Sequence, residues 1–275
     1  MPVKFYDASG YLDRVKSSGL PTFVGNYAAY ARLFLGEVMP DFQGKILYLD
    51  SDTLVTGDIS GFYDADIEGK LCLGIQDVVP EEYCMKNGFS RNYVYINSGI
   101  ILINLQEWRK CFTNDGIREL SAGLVLDMPD QDIINAALFR AGTESYTVPL
   151  RYNVLTPYFE WNFESLKIAY PKTKGRFYSR NEIEEAVKNP AIIHMVDGMN
   201  GRPWHKGNSN PLSDKWESIL KETEFYEDFK PIEPEPKSWR RRLKLWIYKT
   251  FPNVVTATII LLYVKLKYIV KGGKN

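Results

Sequence analysis

The sequence is poor in the residues that build disulfide frameworks and zinc sites. It has three cysteines, Cys72, Cys84 and Cys111, in 275 residues. The number is odd and the spacing fits no zinc-ligand pattern, so the three read as reduced thiols, with Cys72 in an apolar run. Histidines number two. No apolar run approaches the ~20 residues that a helix needs to cross a bilayer, and VVTATIILLYV, residues 254–264, stops at 11. The N-terminal MPVKFYDASGYLDRV holds no apolar core of a signal peptide, which places the expected activity in the cytoplasm. Net charge is also missing: 34 basic residues balance 34 acidic ones. The balance hides a split, because no acid follows Pro236 whereas ten Lys/Arg do. Residues 1–235 therefore carry a net charge of −10, which argues against a nucleic-acid partner.

What is present is a globular core, with 45% apolar and 14% aromatic residues. Val3–Tyr6 reads as a short strand and Tyr11–Ser17 as a helix. NYAAYARLFLGEV, from Asn26, carries apolar residues at helical spacing until Met39-Pro40 ends it. KILYLD, KLCLGIQD, YINSGIILINL and AIIHMV are short apolar runs of the kind that form buried strands. Helical segments are expected over 130–140 and 181–188. Strands alternating with helices predict an α/β fold with a mainly parallel sheet, of Rossmann type, flanked by helices. PIEPEPKS, residues 231–238, reads as a linker between a domain over 1–230 and a tail over 239–275.

Asp50 and Asp52 stand two residues apart where the chain leaves an apolar strand, the edge of an α/β sheet at which ligands gather. Two carboxylates so placed suit one hard divalent cation, Mn²⁺ or Mg²⁺, and they also suit an ordinary acidic loop. His194 closes another buried strand. A histidine there serves either as a satisfied core residue or as a third ligand. DGMNGRPWHKG, residues 197–207, follows it, and its glycines, Arg202 and Lys206 fit a cradle for a diphosphate.

YARLFLGE, ILYLDSDTLV, INSGIILINLQEWR, DQDIINAALF and IIH…RPWHKG occur in order over about residues 27–207. Together they resemble glycosyltransferase family 8, which includes bacterial lipopolysaccharide galactosyltransferases and glycogenin. The resemblance implies a GT-A fold and transfer of a hexose, galactose or glucose, from a UDP-sugar to a glycan or lipid-linked acceptor with retention of configuration. It implies Asp50, Asp52 and His194 as Mn²⁺ ligands. Arg32, Asp50, Ser51, Asn97, Ser98, Gly201, Arg202 and Lys206 would bind the donor. Asp130 and Gln131 would sit at the reacting sugar, where Gln131, an amide, makes a poor covalent nucleophile and a front-face displacement fits better.

The front of the family pattern, a strand, helix, strand and helix that bind the nucleobase and ribose, has no counterpart before VKFYDASGYL. The expected consequences are an exposed apolar sheet neighbour and weak donor affinity or poor solubility. An alternative to an active transferase is thus a non-catalytic relative that docks on a membrane or a partner. In the tail, KSWRRRLKLWIYKTF mixes aromatics with six basic residues. Beside the apolar run it suits a helix lying on an anionic membrane, peripheral on the cytoplasmic face, or a helix packed on the domain.

Overall fold

A computed structural model describes residues 3–77, 79–142, 147–170, 177–234 and 238–272. Its strands are β1 (Lys45–Leu49), β2 (Thr53–Val55), β3 (Cys72–Gln76), β4 (Ile96–Asn104), β5 (Val154–Leu155) and β6 (Ile192–His194). The chain divides into two compact units: residues 1–49 with 60–149, and residues 50–59 with 150–275.

In the first unit β4 is central, in the order β1-β4-β3. Its run of β-branched and leucine side chains is buried from Ile96 to Ile103. β1 pairs with it antiparallel, Lys45 opposite Asn104 and Leu49 opposite Ile100. β3 is antiparallel too, and its register slips between Gly74 and Ile75. A side chain at Gly74 would meet the Ile96 side chain at 2.6 Å, so the slip needs glycine. Asn104 ends the strand and caps the Leu105–Cys111 helix, accepting from the backbone N–H of Gln106 and Glu107. Trp108 on that helix is fully buried, and its indole N–H reaches the carbonyls of Arg32 and Leu33. This locks the short helical stretch Ala28–Phe34, and with it Arg32, against the sheet. Pro129 opens the Pro129–Arg140 helix, a position at which its missing N–H costs nothing.

In the second unit β6 is central, in the order β2-β6-β5. Thr53 lies opposite His194 in an antiparallel pair, and Leu155 lies beside His194 in a parallel one. Ile193, Met195 and Leu212 form a core with Leu54, Phe159, Trp204 and Trp216. The tail forms two helices of this unit, Trp239–Thr250 and Asn253–Gly272, separated at Pro252. The second lies along the Phe163–Ala169 helix and buries Thr256 and Ala257 completely.

The α/β class holds, but among the described strands three pairings are antiparallel and one is parallel. An apolar run reports that both faces of a strand are covered and carries no information on its direction. No strand forms at Val3–Tyr6, where Val3 and Phe5 are exposed and no neighbour pairs with them. β1 is an edge of its sheet, and all five of its residues are only half-buried. Of the 231–238 segment, residues 235–237 lie outside the described residues. No described helix is long and apolar enough to cross a membrane.

Candidate active site

The second unit joins the three candidate metal ligands. Asp50-Ser51-Asp52 forms the turn into β2, held by the Thr53 N–H and hydroxyl on the Asp50 carbonyl at 3.2 and 2.7 Å. His194 ends β6 directly opposite Thr53. Its Nε2 stands 3.1 Å from Asp52 Oδ1 and 3.9 Å from Asp50 Oδ2. One ligand atom from each residue lies within 4.8 Å of the others. The histidine is buried and the acids are half-buried, so the group is anchored on the protein side and open on the other.

His194 Nδ1 lies 3.2 Å from Asn153 Oδ1. An amide oxygen only accepts, so Nδ1 donates to it and Nε2 is the ring nitrogen that faces the carboxylates. Two carboxylates and a facing imidazole nitrogen make a donor set that suits Mn²⁺ or Mg²⁺. Burial acts to raise the Asp52 pKa. Hydrogen bonds from His194 and Arg202 outweigh it and hold the carboxyl well below the usual range.

Arg202 donates to Asp52 Oδ2 at 2.5 Å and to the Met195 carbonyl at 3.3 Å. Gly201, just before it, has φ +80°, a conformation that favours glycine. Ser51 is exposed in its turn. Lys206 is not brought to the acid pair: it is exposed and pairs with Glu233 at 2.6 Å.

A second cluster, in the first unit, gathers Arg32, Asn97, Ser98, Asp130 and Gln131, all buried. The Ser98 N–H and the Asn97 amide donate to Gln131 Oε1 at 2.8 and 3.1 Å. Gln131 Nε2 donates to Asp77 Oδ2 at 2.9 Å, and Asn97 donates to the same oxygen at 3.1 Å. Arg32 donates to the Ser98 carbonyl at 2.7 Å and lies 3.2 Å from Asp130 Oδ2, with its guanidinium over the Tyr48 ring. The Gln131 carbonyl thus spends its lone pairs on fixed donors, which agrees with a positioning amide better than with a nucleophile.

Sequence reasoning missed several members. Asp77 ends KLCLGIQD but carried no signal apart from its place after a strand. Asp132 fits the pattern of an acid in a helix's first turn, yet it is fully buried. It accepts from the Tyr83 and Tyr95 hydroxyls at 2.6–2.7 Å and from the Met128 N–H at 3.0 Å. Burial raises its pKa to about 6 against the pull of these donors, and the nearby charge of Asp130 adds to the rise. Glu160, in the second unit, is a further buried acid. Burial pushes its pKa up, against hydrogen bonds from Met199 and Asn200.

The α/β fold, the Asp-x-Asp turn and a histidine within reach of one cation are the parts that the family resemblance implies. The chain matches the model described as glycosyl transferase family 8 over residues 14–208 and belongs to that family. It is 26% identical over 236 residues to general stress protein A of Bacillus subtilis, covering 82% of this chain and 74% of the relative. To the lipopolysaccharide 1,2-glucosyltransferase of Escherichia coli K12 it is 26% identical over 215 residues, 76% of this chain and 58% of that one. Glycosyltransferase GlyF of Streptococcus pneumoniae is 28% identical over 196 residues, 70% of this chain and 41% of its own. The chain thus spans less than two thirds of the length of the last two. The fold matches that of the galactosyltransferase LgtC, solved with donor and acceptor sugar analogues, with a TM-score of 0.57 at 23% identity over 82% of this chain and 76% of that one.

Proposed function

We propose that the chain transfers a hexose from a UDP-sugar to a glycan or lipid-linked acceptor with retention of configuration, in surface polysaccharide or lipopolysaccharide synthesis. The observation that carries this reading is the convergence of Asp50, Asp52 and His194 within 4.8 Å. In it, Asp50, Asp52 and His194 hold Mn²⁺. The ion, when bound, supplies positive charge to the diphosphate leaving group. Arg202, already directed at Asp52, adds a second cation on the same side. Arg32 is fixed by Ser98 and Asp130, and Asn97, Ser98 and Asp130 present polar groups suited to sugar hydroxyls. The fully engaged Gln131 amide favours front-face attack by the acceptor hydroxyl, with no covalent sugar–enzyme stage.

The relatives named for lipopolysaccharide and sugar transfer support the substrate class, and the donor sugar follows the pocket's shape. The tail supports a peripheral place on an anionic, cytoplasmic membrane face. Trp239 is 64% exposed and Trp246 56%, with Leu243 and Phe251 also exposed among basic residues. Incubating the protein with a panel of UDP-hexoses, with Mn²⁺ and then with EDTA, tests the activity. Release of UDP that depends on metal and is lost in Asp52→Asn is the expected result, and metal-independent release or none with any donor overturns it.

A further inference from the structure

The loop between His194 and Arg202 has almost no secondary structure to hold it. Within Asp197–Asn200, the backbone amides of Met199 and Asn200 are satisfied by a side chain: both donate to the carboxylate of Glu160 at 2.8 Å. The Asn200 side-chain amide adds a third bond at 3.2 Å. The loop is pressed so closely onto this carboxylate that a side chain at Gly198 would land 2.5–2.7 Å from its atoms.

The other side of the loop is held by the first tail helix. Arg241, Lys244 and Tyr248 recur on one face of it, three and four residues apart. Arg241 donates to Asp197 at 3.1 Å and to the Gly198 carbonyl. Tyr248 donates to the Glu160 carbonyl at 3.3 Å and accepts from the Asn200 amide at 3.4 Å. Its ring packs on Trp161, with centroids 5.2 Å apart. Trp239, Leu243 and Trp246 stand exposed on the same helix. One helix therefore offers an apolar, basic surface to its surroundings and grips the loop that leads from His194 to Arg202.

We infer that Arg241 is a positioning residue: the tail helix sets the loop that carries Arg202 to Asp52, and so orders the diphosphate end of the donor site. What the loop binds rests on the reading proposed above. A loop whose order depends on a few side chains opens locally when one is removed, and a phosphate-binding group on it then loses its preset geometry.

The test uses the full chain, Arg241→Gln and Arg241→Lys, with matched thermal melts as the folding control. Hydrogen exchange is measured at the Met199 and Asn200 amides without ligand. Binding is measured with Mn²⁺ alone and with Mn²⁺ plus inorganic pyrophosphate. The expected result for Arg241→Gln is exchange faster by about tenfold and pyrophosphate affinity about tenfold weaker, with Mn²⁺ alone bound within about twofold of the parent chain. Arg241→Lys keeps the charge and one donor and recovers most of the loss. Unchanged exchange in Arg241→Gln overturns the inference, as does unchanged pyrophosphate affinity. If the parent chain itself takes up neither Mn²⁺ nor pyrophosphate, the proposed donor site fails and the inference falls with it. That outcome is read in the parent chain alone, before any variant is compared.

Discussion

Asp132→Asn should change how stability depends on pH, in the direction opposite to the usual aspartate. In the folded chain burial raises the Asp132 pKa from 3.8 to about 6. A group with a raised acid pKa binds its proton in the folded state before it does in the unfolded one. Between pH 4 and 6 the folded state therefore holds more protons, and stability falls as pH rises through that window. The gap between 3.8 and about 6 corresponds to about 3 kcal/mol, lost on going from pH 3.5 to pH 7.5. Asparagine keeps the shape and cannot titrate. It leaves Met128 N–H an acceptor if its oxygen takes the Oδ2 position, with the Tyr83 and Tyr95 hydroxyls turned to accept from the amide. Urea unfolding of both proteins at half-unit steps from pH 3.5 to 7.5 gives the difference in unfolding free energy. Titrating groups that do not interact with Asp132 are common to the pair and cancel. The difference, parent minus variant, should fall by about 3 kcal/mol with rising pH. A flat difference, or one that rises, would refute the reasoning that Asp132 carries its charge at a cost.

Three further outcomes follow from single contacts. Gly198→Ala forces a methyl group into the Glu160 carboxylate, which three hydrogen bonds hold in place, and should cost about 2–3 kcal/mol. Calorimetry would show this as a melting point lower by about 4–12 °C, and an unchanged melting point would mean that Glu160 is free to move. Arg32→Ala strips the buried Asp130 of its cation, so a loss of about 3–5 kcal/mol in urea unfolding is expected, against less than 1 kcal/mol if the pair is idle. Trp246→Ala with Trp239→Ala should abolish flotation with anionic liposomes while melting as the parent does, because both rings are exposed; flotation equal to that of the parent would place the membrane contact elsewhere.

Much of the site was readable in order along the chain because its parts sit at element ends. Asp50 and Asp52 follow an apolar strand, and His194 closes one, so position and residue type together flagged them. Asp130 and Gln131 were legible as the opening of a helix. Arg32, Asn97 and Ser98 came only from the family resemblance. The residues that fix these side chains were not readable, because each acts through a partner far away in sequence. Asp132 is matched by Tyr83 and Tyr95, 49 and 37 positions away, and Glu160 by Met199 and Asn200. Strand direction escaped for a different reason: burial of KILYL and IILIN is the same whichever way a neighbour runs, and only the register of Lys45 with Asn104 shows the pair to be antiparallel. The tail's basic and aromatic pattern suggested a surface helix, but its inward stripe of Arg241, Lys244 and Tyr248 has meaning only beside the loop it holds.

In the proposed reading, Asp50, Asp52 and His194 bind one divalent ion in common. Titrating Mn²⁺ into the full chain, followed by the loss of the free-ion electron paramagnetic resonance signal, tests it directly. One site per chain is expected, weakened at least about 100-fold in both Asp52→Asn and His194→Ala, since even outer-shell partners cost about 10- to 100-fold. Binding with the parent's affinity in His194→Ala, or no uptake by the parent chain, would contradict it.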